Sequence, residues 1–106
     1  MRILFVCSKN KLRSPTAEAV FADYPGLEVM SAGLNADSET PLSPELVEWA
    51  EKIFVMERSH RTKLQQRFGQ FVKDQRIICL DIADRYRFME PALIALLKRK
   101  VSQHLP

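Results

Sequence analysis

The chain has 106 residues, of which 46% are hydrophobic and 27% charged, and this composition predicts a single folded domain over residues 1–106. Its net charge of +3 favours an anionic ligand, but the basic residues are scattered along the chain, so we expect no nucleic-acid partner. The two cysteines, Cys7 and Cys79, are too few for a disulfide scaffold, and no apolar run reaches membrane-spanning length. We therefore expect a cytoplasmic protein without a membrane partner.

Four segments, residues 2–7, 27–33, 52–56 and 76–81, predict β-strands. The first is a continuous run of branched and aromatic residues without polar alternation, which is typical of a strand buried on both faces of a parallel sheet. A segment with helical signals follows each strand. This repeated order predicts an α/β fold, an open four-stranded parallel sheet with helices on both faces.

Prolines and capping residues predict where the helices begin. The first helix begins at Ser14-Pro15, and the second has Ser43 as its N-cap. The third opens at Glu57 or Ser59. The last begins at Glu90-Pro91, and its predicted apolar stripe consists of Met89, Leu93, Leu96, Leu97 and Val101.

The segment between the first strand and the first helix carries the clearest chemical signal. Cys7 ends the strand, and Arg13 follows after five residues, next to Ser14. A loop of this length can direct its N–H groups at one point, and the positive end of the helix adds to their effect. We expect an oxyanion site in which Cys7 is a nucleophilic thiolate, Arg13 binds two oxygens of the anion, and Ser14 donates a hydrogen bond to the sulfur.

The Cys7–Arg13 spacing is weak evidence by itself, and the alternative is a buried cysteine at a strand end. Asn10 supports the oxyanion site, because asparagine tolerates the left-handed conformation that a tight loop requires.

The run Val6-Cys7-x2-Asn10-x2-Arg13-Ser14-Pro15-x-Ala17-Glu18 resembles the phosphate loop of the low-molecular-weight protein tyrosine phosphatases. Residues 31–33 and 54–57 resemble two further signatures of that family. The resemblance implies a phosphotyrosine protein phosphatase I-like fold and hydrolysis of phosphomonoesters through a cysteinyl-phosphate, without a metal or other cofactor. It also implies that the substrate is a phosphotyrosine protein or a small aryl phosphate. The phosphoryl group would be bound by Ser8, Lys9, Asn10, Lys11, Leu12 and Ser14.

The chain departs from the family pattern in the loop itself. Lys9 occupies a position where the family has glycine, and Leu12 replaces a second cysteine. We expect Lys9 either to strain the backbone or to add positive charge beside the phosphate. The chain is also short between Gly33 and Ile53, where the family has a substrate-shaping loop and helix. These departures support an alternative function, a phosphate- or phosphoprotein-binding module with little turnover, whereas the intact Cys7, Asn10, Arg13 and Ser14 favour the phosphatase.

Hydrolysis requires a general acid, and the resemblance places it after the fourth strand. Asp84 is the first candidate and Asp81 the alternative. Tyr86 is expected to stack on an aromatic substrate, or else to be a half-buried packing residue.

The supporting residues have both functional and structural interpretations. The resemblance implies that His60 supports Asn10, whereas the alternative for His60 is an exposed polar side chain. Ser31 is expected either to bond Asn10 or only to end its strand, and Cys79 is expected to be inert core. The sequence leaves the oligomeric state open.

Overall fold

The computed structural model describes residues 1–73 and 76–105, and its centre is a sheet of four parallel strands. In chain order the elements are β1 (Arg2–Cys7), α1 (Arg13–Phe21), β2 (Glu28–Gly33), α2 (Pro44–Trp49), β3 (Lys52–Val55), α3 (Arg58–Phe68), a short 3₁₀ helix (Gly69–Phe71), β4 (Ile77–Cys79) and α4 (Pro91–Ser102). The predicted strand–helix order is therefore confirmed.

The strands are arranged in the order β2-β1-β3-β4, with β1 between two neighbours. Cys7 lies opposite Gly33 of β2, and Val6 lies opposite Val55 of β3. Because all the strands are parallel, their carboxyl ends meet at one edge, which is where open α/β sheets bind ligands. Cys7 lies at this edge.

Apolar side chains cover both faces of the sheet, as predicted. Phe5 faces α1 and α4, where its ring stacks on that of Phe54 with the centroids 5.3 Å apart. Leu4 and Val6 point to the opposite face and belong to the cluster beneath α2 and α3. Full burial of such side chains contributes about 1.5–3 kcal/mol each, so the core fixes β1 firmly beneath the loop that follows it.

The predicted helix starts hold to within a residue. Ser43 caps α2, since its Oγ accepts a hydrogen bond from the backbone N–H of Leu46 at 3.2 Å. Glu57, rather than Ser59, is the N-cap of α3. The strand predicted over residues 76–81 is shorter, Ile77–Cys79, and Asp81 has a left-handed backbone with a φ of 53°.

The stripe predicted on the last helix is confirmed at Leu93, Leu97 and Val101, which are buried, but the prediction for Met89 is wrong. Met89 precedes the helix, has a φ of 59° and is 38% exposed. The helix begins only at Pro91, so Met89, which precedes it with a left-handed backbone, does not continue the helical stripe. Within residues 1–73 and 76–105, no helix has the length and apolarity needed to cross a membrane.

Candidate active site

The segment from Cys7 to Arg13, here called the Cys7–Arg13 loop, joins the carboxyl end of β1 to the first turn of α1. Asn10 is its left-handed residue, with a φ of 56°, and its side chain is buried. Lys9 does not have a positive φ, so the prediction that it strains the backbone of the loop is wrong. The left-handed turn is made by asparagine, which adopts it at lower cost than lysine.

The Cys7–Arg13 loop and Asp84 enclose a cavity of about 170 Å³ at the sheet edge. The residues that line it are Cys7, Ser8, Lys9, Lys11, Leu12, Arg13 and Asp84. Six of these belong to the loop, and Asp84 reaches the cavity from the segment after β4. The cavity thus contains most of the residues singled out in the sequence, and two of that set, Asn10 and Ser14, are buried beside it rather than lining it.

Cys7 is nearly buried, and its sulfur is contacted by the first turn of α1. Ser14 Oγ donates a hydrogen bond to Cys7 Sγ at 2.5 Å, as the sequence predicted. A hydroxyl donor in contact with sulfur stabilises the thiolate over the thiol. The thiolate is the nucleophilic form of cysteine.

Arg13 is 3% exposed, and two elements beyond its own helix fix its guanidinium. Nη1 donates to Oε2 of Glu57 at 2.6 Å and to the carbonyl oxygen of Ile82 at 2.7 Å, while Nε lies 3.7 Å from Oδ1 of Asp84. The hydrogen bond from Arg13 holds the pKa of Glu57 below its usual value of 4.5, against an opposing effect of burial. A buried guanidinium held in this way is preorganised to bind oxygens of an anion in the cavity.

Glu57 is the site residue that the sequence did not assign. Its signal was its position two residues after β3, at the same sheet edge as Cys7, within the 54–57 signature. An acid at this edge is the natural partner of a buried arginine, because an unpaired buried charge is costly.

His60 is buried, with 2% exposure, and contacts the Cys7–Arg13 loop through Ser8 rather than Asn10. Both expectations for His60 are therefore wrong. Its Nε2 lies 3.0 Å from Ser8 Oγ, and its Nδ1 accepts the backbone N–H of Glu57 at 3.1 Å. Since that N–H can only donate, the neutral ring carries its proton on Nε2 and donates it to Ser8 Oγ. Ser8, being a hydroxyl residue in the loop, supplies the acceptor.

Burial lowers the pKa of His60 from its usual 6.5, and the positive charge of Arg13 lowers it further. The neutral ring is the form that keeps both of its contacts. His60 is therefore a fixed donor that orients the Ser8 hydroxyl at the cavity wall.

Ser31 does not bond Asn10, which corrects that expectation. Its Oγ donates instead to a carboxylate oxygen of Glu18 on α1. A charged acceptor competes well against a neutral amide for one hydroxyl proton. Asn10 Oδ1 is left buried without a hydrogen-bond partner in the described part of the chain.

The two candidate acids have separate positions. Asp84 lines the cavity beside Arg13, as described above, and Asp81 lies outside the lining. Asp81 Oδ1 accepts from the thiol of Cys79 at 3.5 Å and lies 3.8 Å from Nε of Arg58. Geometry thus favours Asp84 for proton transfer into the cavity.

Two further predicted residues lie apart from the cavity lining. Tyr86 is half-buried and packs against the core cluster under α1 and α4. This agrees with the alternative prediction for Tyr86, a half-buried packing residue. Cys79 is half-buried on β4, and burial raises the pKa of its thiol. A raised pKa disfavours the reactive thiolate.

Comparison with known proteins gives matches over most of the chain. The family described as "Low molecular weight phosphotyrosine protein phosphatase" matches residues 2–83. A protein-arginine-phosphatase of Geobacillus stearothermophilus is 31% identical over 93 residues, covering 65% of this chain and 63% of that protein. The chain therefore spans less than two thirds of the length of that curated relative.

Solved structures resemble the fold over nearly the whole chain. The YwlE arginine phosphatase from Geobacillus stearothermophilus matches with a TM-score of 0.77 and 25% identity, covering 97% of this chain and 92% of that one. SP-PTP, a low molecular weight protein tyrosine phosphatase from Streptococcus pyogenes, matches with a TM-score of 0.80 and 13% identity, covering 99% and 93%. The second likeness shows the shared fold alone.

Proposed function

Because the chain belongs to the low molecular weight phosphotyrosine protein phosphatase family, we propose that it hydrolyses phosphomonoesters with Cys7 as the nucleophile. The observation that carries the proposal is the hydrogen bond from the buried Ser14 Oγ to Sγ of Cys7, which lines the cavity together with Arg13. This contact gives the sulfur a donor that stabilises it both as attacking thiolate and as leaving group.

In the first step, the Cys7 thiolate attacks phosphorus, and the S–P bond forms as the bond to the leaving oxygen breaks. Asp84 gives its proton to that oxygen, so the alcohol departs neutral. Arg13, the loop N–H groups and the N-terminus of α1 bind the non-bridging oxygens, where negative charge develops. The ion pair with the half-buried Glu57 keeps Arg13 in place while this occurs.

In the second step, water attacks the cysteinyl-phosphate and the S–P bond breaks. The Asp84 carboxylate, now deprotonated, takes a proton from that water, which restores the acid for the next cycle. Phosphate leaves, and Ser14 stabilises the thiolate that is released. Proton and charge balance therefore close without a further co-reactant.

The proposed substrate is a phosphotyrosine protein or a small aryl phosphate, acted on in the cytoplasm. A second candidate substrate is phosphoarginine, because a relative at 31% identity is named a protein-arginine-phosphatase. Parallel assays of a phosphotyrosine peptide and a phosphoarginine peptide of the same sequence decide between these two substrates.

The test of the proposed function is hydrolysis of p-nitrophenyl phosphate by the wild type, by Cys7→Ser and by Cys79→Ser. We expect Cys7→Ser to abolish turnover and Cys79→Ser to retain it, because Cys79 lies outside the cavity lining. Turnover that survives in Cys7→Ser would refute the mechanism. Phosphate binding by the wild type without turnover would instead identify the chain as a binding module.

A further inference from the structure

Two lysines give the cavity an excess of positive charge on its solvent side. Lys9 and Lys11 both line the cavity and are exposed, whereas Asn10 between them is buried. Within residues 1–73 and 76–105, neither lysine has a carboxylate within ion-pair distance. Both ammonium groups are therefore available to a ligand.

The remaining charges at the cavity do not offset these lysines. Arg13 is paired with Glu57 at 2.6 Å, and Asp84, the one carboxylate among the lining residues, lies nearest to Arg13 at 3.7 Å. Apart from Arg13, which is paired with Glu57, the charged side chains that line the cavity are thus two lysines, Lys9 and Lys11, and one carboxyl group, Asp84.

Resting on the function proposed above, we propose that Lys9 and Lys11 form a cationic rim that selects phosphorylated segments with further negative charge beside the phosphorylated residue. Arg13, the loop N–H groups and the end of α1 converge on the reacting phosphoryl group at the Cys7 sulfur. The lysines, on exposed and flexible stems, reach outward to charges whose position varies between substrates. The preferred substrate class is therefore an acidic phosphopeptide segment.

The test measures kcat/KM for three phosphotyrosine peptides of equal length with acidic, neutral or basic residues on both sides. The enzymes are the wild type, the Lys9→Gln/Lys11→Gln variant, and a control, Lys98→Gln/Arg99→Gln, which removes two exposed cations from α4. At low ionic strength we expect the wild type to prefer the acidic over the neutral peptide by about tenfold, the sum of two exposed charge contacts.

The loop variant should reduce this ratio to about twofold or less, and the α4 control should keep it at about tenfold. The wild-type ratio should also fall as salt is added, because exposed charges are screened. A charge reversal, Lys9→Glu/Lys11→Glu, should invert the preference toward the basic peptide.

The ratio of kcat/KM for the acidic peptide to that for the neutral peptide separates this proposal from its alternatives. If the lysines bind only the reacting phosphoryl group, the loop variant will lower kcat/KM for all three peptides by the same factor. The ratio of kcat/KM between the acidic and the neutral peptide will then be unchanged, and this result would refute the proposed cationic rim. Equal rates of the wild type on the three peptides overturn it as well. Hydrolysis of p-nitrophenyl phosphate, which has no flanking residues, reports separately on the function of Cys7.

Discussion

Nη1 of Arg13 lies 2.6 Å from Oε2 of Glu57, and this ion pair joins the first turn of α1 to the carboxyl end of β3. The same Nη1 bonds the carbonyl oxygen of Ile82, so the segment after β4 is attached to the same group. One buried guanidinium therefore connects three segments at the sheet edge. Its position depends on a carboxylate that makes no direct contribution to the cavity lining.

Replacement of Glu57 by Gln removes this charge while keeping the side-chain size. We expect the free energy of unfolding to fall by about 1 kcal/mol, a modest value because Glu57 is 42% exposed and solvent screens the pair. We expect kcat/KM for p-nitrophenyl phosphate to fall by about tenfold, since Arg13 becomes less well positioned. Urea denaturation and steady-state kinetics measure the two effects.

Glu48→Gln is the matched control, because Glu48 is an exposed acid on α2. It should leave both quantities near the wild-type values. If Glu57→Gln and Glu48→Gln behave alike, Glu57 has no part in positioning Arg13.

The sequence predicted the parts of the fold that depend on local pattern. The unbroken apolar run of β1, the Ser43-Pro44 cap of α2 and the spacing of Leu93, Leu97 and Val101 each have a local physical cause, and each is confirmed. The Ser14–Cys7 contact was also predictable, because strand, loop and helix start are consecutive in the chain.

The errors about side-chain contacts in the site concern partners that are distant in sequence. Glu57 is 44 residues from Arg13, and His60 is 52 residues from Ser8. Local pattern does not determine which of several polar groups at the sheet edge pair with each other. Ser31 illustrates the same limit, because the competing acceptor, Glu18, lies on a different element from the expected Asn10.

Replacement of Ser14 by Ala should slow the second chemical step more than the first. The hydroxyl donates to Cys7 Sγ at 2.5 Å, and a hydrogen bond to a charged group contributes about 1.5–3 kcal/mol. Its loss makes the thiolate a poorer leaving group from the cysteinyl-phosphate. We expect kcat to fall by about tenfold or more, with a burst of p-nitrophenol before a slow steady state in rapid-mixing experiments.

Ser59→Ala, at an exposed position of α3, is the control for the loss of a serine hydroxyl. It should show wild-type kcat. A Ser14→Ala enzyme with unchanged kcat would exclude a role of this hydroxyl in thiolate release.

Replacement of Asp84 by Asn should remove the general acid. We expect kcat to fall by about 10²-fold or more on phenyl phosphate, whose leaving group requires protonation, and by less on p-nitrophenyl phosphate. The control is Asp81→Asn, at a left-handed position with a φ of 53° that asparagine tolerates. Since Asp81 lies outside the cavity lining, this variant should retain activity on both esters. The reverse result would assign the acid to Asp81.

The buried His60 should make the protein less stable as the pH falls below about 6.5. Burial, assisted by Arg13 and Lys63 and opposed by Glu57 and Asp84, lowers its pKa in the folded state from the usual 6.5. The unfolded chain therefore binds more protons than the folded chain in this window, and the free energy of unfolding decreases with falling pH. Above about pH 6.5 the contribution of the neutral ring is complete.

Glu57 also lowers the free energy of unfolding as the pH falls, but at lower pH than His60. Its pKa is lowered in the folded state, so its stabilising contribution is lost only below about the usual glutamate pKa of 4.5. The window from about pH 6.5 to 5 is therefore assigned to His60. His60→Gln should flatten the dependence of unfolding free energy on pH across that window, as measured by urea denaturation at several pH values. An undiminished slope in His60→Gln would assign the effect to another group.

Gly33 is a position where any side chain would press on the Cys7–Arg13 loop. It lies opposite Cys7 in the sheet, and a Cβ there would come within 2.6 Å of Ser38 Cβ and 2.9 Å of the backbone carbonyl carbon of Lys9. The φ of Gly33 lies outside the positive region, so the cost comes from space rather than from backbone conformation. A backbone atom cannot rotate away as a side chain can, and the loop itself must move.

We therefore expect Gly33→Ala to lower the free energy of unfolding by about 1–3 kcal/mol and to reduce kcat/KM by displacing the backbone of Lys9. Gly69→Ala is the matched control, because nothing lies within 4 Å of its added Cβ and its φ is −55°. That variant should keep full activity and be as stable as the wild type, or more stable by up to about 1 kcal/mol. If Gly33→Ala matches Gly69→Ala in both measurements, close packing of β2 against the loop does not set the geometry of the site.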